Sequence, residues 1–267
     1  MHLLYPADPL QPKRVDDTYA EEFRIAKDAG LGISIFSFED FLDGRLRIRP
    51  EIPAGETVFY RGWMFTPAQY GELHVQVAAQ GAAMLTSPPQ YARCHHLPGW
   101  YSSLVELTPE TVFFQETDDL AGALRLRGWT GCFLKDHVKS LSATGGSMVQ
   151  DLAILPEVIA KMKMYRGEIE GGLCARRLED FDQESEDRYF VFGGKAYARE
   201  DGIPEIVLTA SRRIDSPFFS VDTIRRRDGI MRIVELGDGQ VSDGKKWRPE
   251  QIIDILRGAI ADRQENP

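Results

Sequence analysis

The chain has 267 residues, of which 43% are hydrophobic and 27% charged, and this composition excludes an intrinsically disordered protein. Its 41 acidic and 32 basic side chains give a formal charge of −9 at pH 7, which argues against a nucleic-acid-binding surface as the main function but leaves room for a local basic patch. The three cysteines, Cys94, Cys132 and Cys174, are too few and too far apart for a disulfide framework or a structural zinc site, and are predicted to be reduced core residues.

The N-terminus reaches Pro6 before an apolar run long enough for a signal peptide has formed. No stretch of the chain approaches the roughly 18 consecutive apolar residues of a membrane-spanning helix. The sequence therefore predicts a cytoplasmic protein that does not interact with membranes. It gives no information about oligomeric state.

Short strands and helices alternate over residues 1–90, which predicts an α/β domain with a mostly parallel sheet. Thr18 with Glu21 fits a capping box, Gly30 a helix stop, and Thr66 with Pro67 a helix start. The predicted strands are 2–5, 32–38, 57–63 and 82–87, and the predicted helices are 16–29 and 66–81.

Residues 91–267 are predicted to form a second domain that is α+β and mainly antiparallel. Gly193 and Gly194 are typical of a two-residue hairpin turn, and the segment 87–115 is predicted to be a helical connector. The predicted helices are 117–128, one from Pro156 and a closing one from Pro249, and the predicted strands are 131–136, 171–178, 187–199, 218–224 and 231–236.

A cation and a glycine-rich loop follow one apolar strand. Lys135 ends the strand CFLKD, Lys139 lies just downstream, and the loop SLSATGGS comes next. Backbone N–H groups of Gly145 and Gly146, with the hydroxyls of Thr144 and Ser147, could bind phosphate oxygens. A solvated lysine followed by a surface loop explains these residues equally well, and the loop does not have the Walker A order of residues.

Three carboxylates cluster near the end of the chain. A short turn separates the strand with Asp222 from the strand with Glu235, so a hairpin would bring the two together, and Asp238 follows closely. Carboxylate oxygens that converge on a cleft are typical ligands of Mg²⁺. The alternative is that these acids form weak ion pairs with Arg225, Arg226 or Arg232 on a solvated face.

Six segments follow one another along the chain: CFLKDHVKS, the glycine-rich loop, GGLCARRLEDF, ESEDRYFVFGGKAYA, SVDTI and VELGDGQVS. In this order they resemble the ATP-grasp superfamily, specifically its phage and bacterial clade named for two arginines and a lysine. The resemblance covers residues 128–245, and residues 1–90 suit the smaller α/β domain that precedes the grasp in that superfamily. It implies an ATP-grasp fold with mainly antiparallel sheets around the nucleotide.

The resemblance also implies roles for individual residues. Lys135, with Lys139, corresponds to the lysine that contacts nucleotide phosphates, and residues 144–147 correspond to the mobile loop above them. Arg176 and Arg177 fall where the family lines the adenine slot and then reaches toward the acyl substrate, and Glu184 or Glu186 matches the acid that bonds the ribose hydroxyls. Arg188 matches the clade's basic residue in the following strand, and Arg176 and Arg188 are expected to be catalytic. Asp222 and Glu235 correspond to the two magnesium ligands, while Gly237 replaces a usual Asn, so that Asp238 or Gln240 would supply the missing oxygen.

The activity implied is ATP-dependent ligation of a carboxylate to an amine, through an acyl phosphate and with release of ADP. Such a reaction needs ATP, Mg²⁺ and positioned cations but no nucleophile from the protein. The partners would be small-molecule or peptide carboxylates and amines. Arg61 could hold a substrate carboxylate; the alternative is a surface ion pair with Glu56 or Glu72.

Two other functions fit the sequence less well. A non-catalytic module that binds Mg-ATP is favoured by Gly237, and a nucleotidyltransferase is disfavoured because KDHV does not match the KxDG signature. The adjacent His95 and His96 favour polar packing over a zinc site, because no further ligand follows at a suitable spacing. The arginine run 225–227 favours a hairpin cap over contact with nucleic acid.

Overall fold

The computed structural model describes residues 1–138, 147–166, 169–200 and 202–265. Backbone proximity groups these residues into two compact units. The first unit comprises 1–92, 188–220 and the described residues from 237 onward, and the second comprises 93–187 and 221–236. The division into domains at 1–90 and 91–267 stays a prediction, because units assembled from several chain segments need not coincide with domains.

The N-terminal part of the first unit is a five-stranded sheet. Its strands are β1 (His2–Pro6), β2 (Gly32–Phe36), β3 (Ile48–Arg49), β4 (Thr57–Tyr60) and β5 (Ala83–Met84). Their order is β3-β2-β1-β4-β5, and all neighbours are parallel except β2 and β3. In β1, Leu3 and Tyr5 join one apolar cluster and Leu4 joins another, so the sheet carries a core on each face. The predicted α/β organisation is confirmed.

Three helices accompany this sheet: α1 (Ala20–Asp28), α2 (Phe38–Leu42) and α3 (Pro67–Ala79). α3 begins as predicted, with Thr66 as its cap, and buries Tyr70, Leu73 and Val77. The predicted capping box of α1 is wrong. Asp16 instead caps a 3₁₀ turn by accepting the backbone N–H of Thr18 at 2.8 Å, and α1 starts after that turn.

An antiparallel sheet of four strands forms the centre of the second unit. After α4 (Pro88–His95) and α5 (Leu97–Tyr101), the chain forms β6 (Thr111–Phe114), β7 (Cys132–Asp136), β8 (Ser147–Val149) and β9 (Leu173–Arg176). The order is β6-β9-β7-β8. Leu134 and Ala175 face an apolar cluster that includes Leu124 of α6 (Leu120–Leu126) and Leu155 of α7 (Leu155–Arg166), so one face of this sheet is covered by helices.

A third sheet, in the order β11-β10-β12-β13, is formed by β10 (Phe181–Phe192), β11 (Lys195–Tyr197), β12 (Phe218–Arg226) and β13 (Met231–Asp238). β10 and β11 form the predicted hairpin, in which Gly193 and Gly194 have φ values of 57° and 81°. A two-residue turn of this type requires positive φ at both positions, which glycine adopts without strain. Two helices, α8 (Glu205–Arg213) and α9 (Pro249–Glu265), complete the chain.

The three cysteines are free and buried, as predicted. Burial raises the pKa of the Cys132 thiol to about 11 and that of the Cys174 thiol to about 12, so both are protonated and unreactive near neutral pH. Within the described ranges, no helix combines the length and the apolar character that crossing a bilayer requires.

Candidate active site

The strand register places two cations on one face of the second unit's sheet. In the antiparallel pair of β7 and β9, Lys135 lies opposite Cys174, and Arg176 lies opposite Phe133. Because side chains alternate along a strand, Lys135 and Arg176 share the face opposite to the one that packs on α6 and α7. We call this the charged face of the sheet.

Lys135 reaches across from the charged face to an acid on β13. Its Nζ lies 3.3 Å from Oε1 of Glu235, and the two side chains are 5% and 19% exposed. Two charges with so little exposure to water interact more strongly than an exposed ion pair does. Their attraction offsets the free energy that each loses when it is desolvated. The structure thus brings together the predicted phosphate-binding lysine and one predicted magnesium ligand.

Arg176 lies beside the same acid. It donates hydrogen bonds to the backbone carbonyl of Val234 and, at 2.6 Å, to Oγ1 of Thr108. Burial lowers the pKa of Arg176 to about 10, and the negative charge of Glu235 opposes that decrease, so the guanidinium remains charged at neutral pH. Its buried Nε has no hydrogen-bond partner among the residues that the structure describes. Two cations therefore flank Glu235.

Asp222 supplies a second carboxylate in the second unit, and this one is buried. It is 1% exposed and lies on β12, the neighbour of β13, as the predicted hairpin requires. Carboxylate oxygens are the ligands that Mg²⁺ takes in proteins, commonly one or two together with phosphate oxygens and water. Lys135, beside Glu235, can neutralise the charge of a phosphate. The two carboxylates and this ammonium group therefore fit Mg²⁺ bound to a nucleotide.

Asp238 and Gln240, the predicted sources of a third metal-ligating oxygen, lie in a buried network of the first unit. Gln240 donates from its backbone N and its Nε2 to Oδ1 of Asp238, both at 3.0 Å. Its Nε2 also donates to the hydroxyl of Tyr70 at 3.0 Å, and its Oε1 accepts the backbone N–H of Tyr60 at 3.2 Å. Because both ends of the Gln240 amide are engaged, the geometry gives no support to Gln240 as a metal ligand, and the role of Asp238 stays a prediction.

Arg61 is 4% exposed and also lies within the first unit. Its Nε donates to both carboxylate oxygens of Glu22, at 3.0 and 3.1 Å. The alternative of a surface ion pair with Glu56 or Glu72 is therefore wrong, because Arg61 is buried and pairs with Glu22. These contacts favour a structural role over the predicted binding of a substrate carboxylate, which stays a prediction. The Nη1 of Arg61 donates to the carbonyls of Gly239, Gln240 and Ser242.

We expect Glu22→Gln to lower the free energy of unfolding by about 2 kcal/mol, because the buried guanidinium of Arg61 then loses its counter-charge but keeps its carbonyl acceptors. Urea denaturation followed by circular dichroism measures this change. The matched control is Glu21→Gln, an exposed acid in the same turn of α1, which should change the free energy by less than about 0.5 kcal/mol. Equal losses in the two variants would contradict the structural role of the pair.

Arg188, on β10, is 2% exposed and is bound to a loop of the first unit. Its Nη1 donates to the backbone carbonyl of Asp243 at 2.7 Å and to the carboxylate of the same residue. Its backbone carbonyl accepts the indole N–H of Trp247 at 2.8 Å. Arg188 is thus fixed by the loop that follows β13, and its predicted contact with substrate stays a prediction.

The remaining predicted nucleotide-binding residues lie after β9, on β10, at the start of β8 or outside the described residues. Arg177 is exposed, and its Nη1 lies 3.6 Å from the carboxylate of Glu110. Glu184 and Glu186 occupy alternate positions on β10 and therefore share one face of that strand. Lys139, Thr144, Gly145 and Gly146 lie outside the described residues, and Ser147 begins β8, although its side chain is not described.

Sequence reasoning missed two residues that bind buried arginines: Thr108, which binds Arg176, and Glu22, which binds Arg61. Thr108, which binds Arg176, carries no motif that marks it. Glu22 had a detectable signal, because helical periodicity places it on the apolar face of α1 with Tyr19, Phe23 and Ala26. A lone acid on a buried helical face indicates a buried cationic partner.

One family model matches the chain. It describes an ATP-grasp domain, family 3 of the clade named for two arginines and a lysine, and the match covers residues 99–256. No curated protein matches the chain at a significant level.

Several solved structures have a similar fold. D-alanine-D-alanine ligase from Coxiella burnetii matches with a TM-score of 0.64 and 14% identity, over 99% of this chain and 96% of that one. PsnB, an ATP-grasp ligase complexed with a phosphomimetic variant of its minimal precursor, Mg and ADP, matches with a TM-score of 0.61 and 12% identity, over 96% of each chain. D-cycloserine synthetase DcsG matches with a TM-score of 0.57 and 13% identity, over 95% of this chain and 98% of that one.

Proposed function

Because the chain belongs to family 3 of this two-arginine, one-lysine clade of ATP-grasp domains, we propose that it is a ligase that uses ATP to join a carboxylate to an amine, with release of ADP and phosphate. The observation that carries this proposal is the contact of Lys135 with Glu235 at 3.3 Å, beside the buried cation Arg176. The predicted ATP-grasp fold itself is confirmed by the family match and by the solved structures of similar fold.

In this proposal, Asp222 and Glu235 hold Mg²⁺, and Lys135 binds phosphate oxygens of ATP. When bound, Mg²⁺ neutralises phosphate charge and fixes the orientation of the triphosphate. Lys135 and Arg176 add positive charge in a site with little exposure to water, where electrostatic stabilisation is strongest. The predicted contacts of Lys139, Arg177, Glu184, Glu186 and residues 144–147 with the nucleotide are part of the same proposal.

The reaction proceeds in two displacements. An oxygen of the substrate carboxylate attacks the γ-phosphorus of ATP, the bond from that phosphorus to the bridging oxygen breaks, and ADP leaves. The amine nitrogen then attacks the carbonyl carbon of the acyl phosphate, inorganic phosphate leaves, and the nitrogen loses a proton. Lys135 and Arg176 stabilise the charge that develops on the phosphoryl oxygens, so the protein supplies no nucleophile.

Amino acids and peptides are the substrates that we propose, with Arg188 and Arg61 as the predicted contacts to the acid. The names of proteins with a similar fold support this class. One is a D-alanine-D-alanine ligase, and PsnB has been solved with a precursor peptide. Because the identities are low, the acid and the amine have to be found by experiment.

The identity of the nucleotide product tests the proposal. We expect the full-length protein, incubated with Mg-ATP and a panel of amino acids and short peptides, to release ADP and phosphate above background only when both a suitable acid and an amine are present. Chromatography of the nucleotides and mass spectrometry of the ligated product measure this outcome. Release of AMP and pyrophosphate would indicate a nucleotidyltransferase instead.

A non-catalytic module that binds Mg-ATP is the second candidate. It is favoured by Gly237, which stands where many relatives carry an Asn, and by the engagement of both ends of the Gln240 amide within the first unit. Binding of Mg-ATP without any ADP release that depends on substrate would support this candidate.

A further inference from the structure

A separate group of metal-ligating side chains lies in the second unit: His95, His96 and Glu170. Nε2 of His96 lies 2.8 Å from Oε1 of Glu170, and Nε2 of His95 lies 3.9 Å from the same oxygen. The sequence offered two adjacent histidines without a spaced third ligand, and the fold brings the third from 74 residues further along the chain. Two imidazole nitrogens and one carboxylate oxygen therefore converge within 4.8 Å of one another.

The main chain of one residue fixes the segments that carry these side chains. The backbone carbonyl of His137 accepts the N–H of Leu97 at 2.8 Å, and the backbone N–H of His137 donates to the carbonyl of Glu170 at 3.3 Å. His96 also forms a bridge with Val138. The two histidines and the acid are thus presented by backbone that is hydrogen-bonded to a common segment, an arrangement that reduces the entropy lost when a ligand binds.

We propose that His95, His96 and Glu170 bind a zinc ion, with the fourth position open to water. At usual zinc–ligand distances, the ligand atoms of a tetrahedral site lie roughly 3.4 Å apart. The distances of 2.8 and 3.9 Å fall on either side of that value, so shifts of about half an ångström complete the geometry. Imidazole nitrogen suits Zn²⁺, whereas Mg²⁺ prefers oxygen ligands.

The zinc ion would act as a clip between the junction of α4 and α5, which carries the two histidines, and the segment that leads into β9. His137 follows β7, the strand that carries Lys135, and Glu170 precedes β9, the strand that carries Arg176. A metal held by His95, His96 and Glu170 would fix the junction of α4 and α5 relative to the start of β9, and the backbone hydrogen bonds of His137 link both segments to the end of β7. Partial exposure of the His96 and Glu170 side chains, at 23% and 28%, leaves a path for the ion to enter.

Zinc binding by the full-length protein tests this inference. The protein is stripped with a chelator, then titrated with Zn²⁺ against a chromophoric chelator in the presence of excess Mg²⁺. We expect one equivalent per chain for the wild type, and about a hundredfold weaker binding for His96→Ala and for Glu170→Gln. His74→Ala, which alters a histidine on α3 in the first unit, is the matched control and should bind as the wild type does.

Two outcomes of the zinc titration would overturn the proposal. If the wild type does not bind one equivalent of zinc, the proposal is overturned, whether or not a variant folds. The contact of His96 with Glu170 is then a hydrogen bond alone. Binding that is lost in His74→Ala but kept in His96→Ala indicates adventitious surface zinc and also overturns it. Circular dichroism of each variant shows whether weaker binding reflects loss of a ligand or loss of the fold. The measurement does not depend on ligase activity.

Discussion

Lys135→Met should weaken binding of an unhydrolysable ATP analogue with Mg²⁺ by about a hundredfold. Lys135 is 4% exposed, so the methionine fills similar space and removes only the ammonium. A cation in such a site binds phosphate oxygens strongly, because little water screens the charges. Isothermal titration calorimetry with the analogue measures the change and needs no knowledge of the acid or the amine.

The control for this variant is Lys163→Met. Lys163 lies on α7 in the same unit, pairs with Glu116 and is 49% exposed, so its removal should leave nucleotide affinity unchanged. An unchanged affinity in Lys135→Met would place the nucleotide elsewhere, and the proposed site would be wrong.

Glu235→Gln should reduce ADP formation by about a thousandfold, and it should make nucleotide affinity insensitive to Mg²⁺. The amide keeps the size and one oxygen of the side chain but loses the negative charge that holds a divalent cation. Nucleotide affinity measured with Mg²⁺ and with a chelator gives the second readout without a substrate. Asp228→Asn, in the turn between β12 and β13, is the matched control, since Asp228 is an exposed acid paired with Arg226. Retained dependence on Mg²⁺ in Glu235→Gln would exclude this residue as a ligand.

A purely structural ion pair predicts a different pattern for the same two residues. If Lys135 and Glu235 only hold two sheets together, each single variant leaves a poorly solvated charge, and the double variant Lys135→Met, Glu235→Gln relieves it. Stability would then return in the double variant, and nucleotide binding with it. In the proposed site, stability returns while nucleotide binding stays lost.

Local patterns in the sequence were sufficient to predict much of the fold. Short apolar runs identify β7, β12 and β13, and a two-glycine turn identifies the hairpin of β10 and β11. Since Lys135 and Glu235 each stand on one of these strands, the elements that carry them could be predicted. The resemblance to a known family supplied the expectation that the two meet.

The sequence analysis did not predict two helices, α2 and α8, and the reasons differ. α2 begins directly after β2, where Ser37 accepts the backbone N–H of Asp40, and the apolar pattern of the strand obscures that cap. α8 carries a start signal in Pro204 and Glu205 and buries Val207 and Ala210 at helical spacing, so this helix could have been predicted.

The environment of Asp238 could not be predicted, because its network closes over a long stretch of sequence. The amide of Gln240, which donates to Asp238, also bonds Tyr70 and Tyr60, which lie 170 and 180 positions away. No local sequence pattern indicates hydrogen-bond partners that lie so far apart in the chain. Asp238, which the sequence predicted as a metal ligand, thus accepts hydrogen bonds, two of them from Gln240.

The contacts of Arg61 with the carbonyls of residues 239, 240 and 242 have a consequence for synthesis of the protein on the ribosome. All five strands of the N-terminal sheet have been made by residue 84, but the carbonyls that accept hydrogen bonds from Arg61 belong to residues 239, 240 and 242, which are translated much later. At about 5–20 residues per second, this delay is on the order of ten seconds. During that interval the guanidinium of Arg61 in the nascent N-terminal sheet is incompletely hydrogen-bonded, and the sheet reaches its final state only after residue 242 has been made.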